Sequence, residues 1–293
     1  MNDSGKLDGL FTRFDELLSR VERMLPVTSA PADWSAKAYR WRKRGAQGYL
    51  QPVMQPHRIE YDDLLEVDRQ RGEVDRNTAQ FVQGLPANNV LLTGSRGTGK
   101  SSLVKAMLAK YAEQGLRLIE VDKTDLMDLA DIVDHLEGRP ERFIIFCDDL
   151  SFEGDESSYK ALKAVLDGSV SAPPENVLIY ATSNRRHLMP EYKSDNLDSH
   201  AVDGEIHHGE AVEEKVSLSE RFGLWLSFYP FNQDAYLDIV YYWIRRLGAD
   251  SANTGQVRAE ALKWALTRGS RSGRSAYQFA RDWAGRQQLS NES

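Results

Sequence analysis

The chain has 293 residues, 41% hydrophobic and 28% charged, which is a soluble globular composition large enough for one or two domains with a real core. Its net charge of −7 excludes nucleic-acid binding by bulk electrostatics, so any such contact needs a local basic patch. A single cysteine, Cys147, excludes an internal disulfide framework, and no apolar run approaches the roughly 20 residues of a membrane span, so with a polar N-terminus unlike a signal peptide the expectation is a cytoplasmic protein.

In chain order, residues 5–25 read as an amphipathic helix, with Leu7, Leu10, Phe11, Phe14, Leu17, Leu18 and Val21 at spacings of three and four, ended by Pro26. Residues 30–60 read as irregular and rich in aromatics and arginine, giving an N-terminal helix-plus-linker unit over 1–57. "RIEYDDLLEVDRQRGEVDRNTAQFVQG" reads as a short strand and a helix closed by Gly84. From residue 88 strands and helices alternate. "NNVLLTG" predicts a strand, then a helix from Lys100 to about Glu113, a strand over 116–122, and a helix from Thr124 or Asp125 stopped by Gly138. "RFIIFCDD", "SSYKALKAVLDGS", "NVLIYATSN" and "LWLSFYPF" continue as strand, helix, strand and strand. Short apolar strands between helices imply a parallel sheet covered on both faces, over 58–230. After Pro230 only helices are predicted, at about 233–247, 256–268 and 275–286, giving a helical unit over 231–293.

"GSRGTGKSS" spans Gly94, Ser95, Arg96, Gly97, Thr98, Gly99, Lys100, Ser101 and Ser102, and fits the spacing G-x-x-x-x-G-K-[ST] between a strand and a helix. Glycines let backbone N–H groups turn inward toward phosphate, and the helix N-terminus adds partial positive charge. In such a loop Lys100 reaches the β- and γ-phosphates of ATP and the Ser101 hydroxyl ligates Mg²⁺. The plainer reading is a Gly-rich turn. "FIIFCDDL" ends a buried strand in Asp148 and Asp149. Asp148 is placed to hold Mg²⁺ opposite Ser101, and Asp149 to orient or deprotonate an attacking water; the plainer reading is a solvated strand end. Cys147 reads as core rather than nucleophile.

Together these elements resemble the AAA+ ATPases, over roughly residues 58–285, and "LPANNVLLTGSRGTGKSSLVKA", "ERFIIFCDDLSFE" and "YATSNRRHL" are similar to the DUF815 group of that class. The resemblance implies an α/β, three-layer parallel-sheet P-loop NTPase with a small C-terminal helical lid and an N-terminal helix. It also implies Mg-dependent ATP hydrolysis coupled to remodelling or loading of a protein or nucleic-acid partner, by a homo-oligomer such as a ring. By position it makes Asn184 the residue that positions the attacking water, and Arg221 the arginine that reaches a neighbouring subunit's site. Arg274, with Arg271 as competitor, becomes the lid arginine facing the nucleotide. Each has a plainer alternative: a capping Asn, or a surface arginine pairing with Glu220. Leu64 and Leu65 become candidate walls for adenine. The family pattern ends its third strand in Asp-Glu; this chain has Asp149, one methylene shorter, with Glu153 as a weak substitute. Two rival readings stand: a nucleotide-dependent binding module with little hydrolysis, and a P-loop kinase.

Three weaker features complete the reading. "KAYRWRKRG", with Lys37 to Arg44, suits single-stranded nucleic acid or a solvated linker. His207 and His208 are adjacent and so poorly placed to converge on one metal ion. Residues 191–216 read as an exposed insertion contacting a client or a neighbouring protomer.

Overall fold

The structure, a computed structural model, describes residues 33–45, 47–150, 156–168, 174–184, 201–202, 205–206, 218, 220–250 and 254–291. The expected helix over 5–25, Glu153, His207, His208 and most of the 191–216 insertion lie outside the described residues.

A seven-stranded sheet organises the chain. Its strands are β1 (Ala38–Arg44), β2 (Gln47–Pro52), β3 (Val90–Gly94), β4 (Leu116–Val121), β5 (Arg142–Cys147), β6 (Val177–Ser183) and, after a two-stranded ribbon of β7 (Ala201–Val202) and β8 (Glu205–Ile206), β9 (Leu224–Phe228). The spatial order is β2-β1-β4-β5-β6-β3-β9. All neighbours are parallel except β1 and β2. The loop-bearing strand β3 thus lies between β6 and β9, and the acid-bearing β5 lies one strand beyond β6. Register aligns the tips: Thr93 lies opposite both Ser183 and Ser227.

Helices α1 (Asp68–Val82), α2 (Lys100–Tyr111), α3 (Leu129–Leu136) and α4 (Glu156–Asp167) cover the two faces. Successive residues of β3 and β5 enter opposite cores, so both strands are apolar throughout. Leu92, Ile144 and Phe146 pack under α1 and α2 with Phe81, Leu103 and Met107. Leu91, Ile145 and Cys147 pack under α3 and α4 with Ile132, Leu136 and Leu162. Three further helices, α5 (Gln233–Arg246), α6 (Thr254–Thr267) and α7 (Gly273–Asn291), form the lid around Tyr236, Val240, Ala261, Phe279 and Trp283. Asn232 caps α5 by accepting from the Ala235 N–H at 2.8 Å.

Three local expectations are corrected. Residues 38–52 are a hairpin, not an irregular segment. In "AYRWRKR" Tyr39 and Trp41 point into the core at 1% and 2% exposure while Arg40, Arg42, Lys43 and Arg44 are exposed, and Gly45 turns the chain at φ +63°. Among the described residues no strand lies between β2 and α1; Tyr61–Asp63 form one 3-10 turn there instead. The helix expected from Thr124 is split into a 3-10 segment, Lys123–Asp128, and α3. Asp122, not Thr124 or Asp125, makes the cap by accepting from the Thr124 N–H. The tighter segment presents Asp128 to the Trp41 Nε1–H and to Lys43, each at 2.8 Å.

Candidate nucleotide and metal site

The site is assembled at the C-terminal tips of β3, β5 and β6, where open α/β sheets hold ligands. Gly94, Gly97 and Gly99 have φ of +123°, +75° and +101°, a region open to glycine. A Cβ on Gly94 would lie 1.9 Å from the Phe228 carbonyl oxygen, and one on Gly97 would lie 2.8 Å from the Ser272 Cβ. The loop therefore needs glycine at both positions to thread between β9 and the lid. Thr98 braces it by donating to the Ser95 carbonyl at 2.8 Å.

Lys100 is buried at the start of α2. Its Nζ donates to the Gly94 and Ser95 carbonyls at 2.7 and 2.8 Å and to Asn184 Oδ1 at 3.1 Å. Burial lowers its pKa to about 8, opposed by the charges of Asp148 and Asp149. A cation held in a low-dielectric cradle with no carboxylate in contact is poised for an anionic ligand.

Ser101 Oγ donates to Asp148 Oδ1 at 2.6 Å. Thr182 Oγ1 donates to the same oxygen at 2.5 Å and accepts from the Asp149 N–H at 2.9 Å. Thr182 was not singled out from the sequence. It lies two residues before Asn184, so both face the site from one side of β6, and that period-two relation is the only signal it offered. Asp149 adopts φ +54°, and its Oδ1 accepts from the Asn184 amide. Its Oδ2 lies 3.7 Å from Arg96 Nη2. Cys147 is fully buried behind this pair, and burial pushes its thiol up to about 12, as a core residue requires.

The donor set fits Mg²⁺: one hydroxyl and one carboxylate converge, and this ion, bound with nucleotide, takes only one or two protein carboxylates. Among the described residues no group of three or more His, Cys, Asp or Glu gathers to form another metal site. A cleft of about 400 Å³ opens beside Asp148 and Asp149 toward Arg40, Arg42 and Lys123, so the acidic tips face open space.

The lid reaches the loop directly. Gly273 N–H donates to the Gly97 carbonyl at 2.9 Å, and Arg274 Cβ lies 3.6 Å from the place of a Cβ on Gly97. Arg274 thus stands at the loop. Ser102 follows Ser101 into α2, half-buried. Leu64 is buried, with Cδ2 3.8 Å from the Cβ position of Gly99. Leu65 packs on the lid core and lines a cleft of about 380 Å³ with Tyr241, Tyr242 and Arg245. Asp63 ties this seam, accepting from the Tyr242 hydroxyl at 2.6 Å and pairing with Arg246 at 3.2 Å.

Arg221 is not brought to this site. It precedes β9, at the opposite end of the sheet from the loop, and its Nε pairs with Asp167 at the end of α4. The aromatics of the basic segment are also unavailable for base stacking, since Tyr39 and Trp41 are buried. Lys37, Arg40 and Lys43 pair with Glu113, Glu120 and Asp128.

The family described as "Protein of unknown function (DUF815)" matches residues 34–287. The chain belongs to the DUF815 family. No curated protein matches this DUF815 chain. Among solved structures it is similar to the Thermotoga maritima RuvB Holliday junction branch migration motor, at 15% identity and a TM-score of 0.47, covering 76% of this chain and 63% of that one. C. elegans PCH-2 is similar at 17% identity and a TM-score of 0.47, covering 75% and 64%. The FIGL-1 AAA domain in complex with ADP is similar at 17% identity and a TM-score of 0.43, covering 77% and 84%. The DUF815 chain spans less than two thirds of the length of the first two. No helix among its described residues is long and apolar enough to cross a membrane.

Proposed function

We propose that this DUF815 protein binds Mg-ATP and hydrolyses it as an AAA+ ATPase, in a site completed by a second copy. The observation that carries the reading is the 2.6 Å contact of Ser101 Oγ with Asp148 Oδ1, which joins the phosphate loop to the acidic strand tip. Mg²⁺, held by Ser101 and Asp148, would neutralise charge on the β- and γ-phosphates. Lys100 leaves the Gly94 and Ser95 carbonyls for phosphate oxygens. Asn184 and Asp149 hold the attacking water, with Asp149 accepting its proton. Arg274 binds phosphate from the lid, and a charge-assisted guanidinium pair there couples lid position to nucleotide.

What supports the shared site is that Arg221 lies at the end of the sheet away from its own loop, where it does not serve its own nucleotide. The Arg221–Asp167 pair is half-buried at Arg221, at 22% exposure, so reaching a neighbour's phosphate requires Arg221 to leave Asp167. Movement of the lid against the core would then act on a bound protein or nucleic-acid partner. The test is specific ATPase activity measured against protein concentration, with single-stranded DNA and RNA added in parallel. Activity rises with concentration in the wild type and falls by at least about a hundredfold in Arg221→Ala, the scale of a lost transition-state arginine. Concentration-independent turnover with an undiminished Arg221→Ala rate rejects the shared site.

One observation favours a second reading, a nucleotide-dependent binding module that turns over little. Asp149 Oδ1 accepts from Asn184, the Arg96 guanidinium stands 3.7 Å from Oδ2, and the side chain is shorter than glutamate. Tight ATP binding with negligible turnover, with partners present, selects that reading.

A further inference from the structure

We infer that Arg96 reads the γ-phosphate, pairing with Asp149 when that phosphate is absent and leaving Asp149 for it when it is present. The inference rests on the proposed ATP site and gives one of its loop side chains a specific task.

Arg96 occupies a variable place in the loop spacing, where no side-chain chemistry is prescribed. In the structure its guanidinium nevertheless crosses the site toward Asp149 Oδ2, at 3.7 Å. The other carboxylate oxygen is held by Asn184, whose Oδ1 in turn accepts from Lys100. Lys100, Asn184, Asp149 and Arg96 thus form one chain of contacts around the place a γ-phosphate enters. Asp149 Oδ1 is held by Asn184, and Oδ2, the oxygen left to meet water, has the Arg96 guanidinium 3.7 Å away.

The Arg96–Asp149 link is built to be exchanged. The two side chains are 77% and 55% exposed, and solvent screening leaves such exposed pairs weak. A phosphate offers the guanidinium more charge and two parallel acceptors. The root of Arg96 is fixed while its tip is exposed: the next residue, Gly97, is fastened to the lid through its carbonyl to Gly273 N–H. A side chain so rooted can swing between Asp149 and a γ-phosphate without moving the loop. ADP lacks the competing oxygens, so with ADP Arg96 stays on Asp149. With ATP it departs, and water meets Asp149 Oδ2 without the guanidinium beside it. The identity of the nucleotide is thereby converted into the surroundings of the base.

The experiment is calorimetric titration of wild type, Arg96→Ala, Arg96→Lys and Lys100→Ala with Mg-ADP and with the Mg complex of a β,γ-imido ATP analogue. Arg96→Ala should weaken the analogue by about tenfold, one charge-assisted hydrogen bond, and ADP by less than about twofold. Arg96→Lys should recover part of the analogue's loss. Equal weakening of both nucleotides in Arg96→Ala, or of neither, overturns the role of Arg96. Wild-type protein that binds neither nucleotide, or Lys100→Ala that binds both normally, overturns the ATP site itself.

Discussion

Asp149 holds a left-handed φ of +54° that its neighbours impose: its N–H is bonded to Thr182 and its carboxylate to Asn184. A non-glycine residue in that region carries strain of order 1 kcal/mol, and such strain gathers at functional sites. Asp149→Asn keeps the shape and removes the base. It should lower ATP turnover by at least about a hundredfold, the lower end for a lost general base, while leaving ATP affinity within about twofold. A quench-flow and binding comparison checks both; unchanged turnover would place the base elsewhere. The phosphate loop and Asp148 were legible because a glycine spacing and an acidic strand end are chemical signatures. Thr182 was not, since a threonine late in a strand also serves β structure alone. Nor was the Arg96–Asp149 contact, which joins residues 53 positions apart.

At the scale of elements, period and turn chemistry located the strands β3 to β6 and β9 and the lid helices to within a few residues. The N-terminal hairpin escaped because its inward aromatics alternate with arginines, and the composition pointed to a solvated or nucleic-acid-binding segment. Trp41 decides between those descriptions. It is buried, bonded to Asp128 and packed over Gly48. Trp41→Ala should therefore cost about 3–5 kcal/mol in denaturant unfolding, as for a core aromatic. A stacking residue would instead lose affinity for single-stranded nucleic acid with stability unchanged.

For the whole molecule, strand order carries the consequence. Because β3 lies inside the sheet, between β6 and β9, Asp148, Asn184 and Lys100 meet at one tip, while Arg221 is left at the other end. No periodicity in the sequence encodes that order; the alternation of elements specified only a parallel sheet. The lid was legible as a run of helices, but its seam was not: Asp63 with Tyr242, and Gly97 with Gly273, are long-range contacts between segments with no shared pattern. These ties join core and lid directly, and the proposed ATPase requires that the loop and acidic tip act on Mg-ATP. The direct measurement is steady-state ATP hydrolysis by wild type and Lys100→Ala, with Mg²⁺ and with Mg²⁺ chelated. The account predicts wild-type turnover that is lost on chelation and reduced at least about a hundredfold in Lys100→Ala. Equal rates in the two proteins, or a wild-type rate indifferent to Mg²⁺, would contradict it.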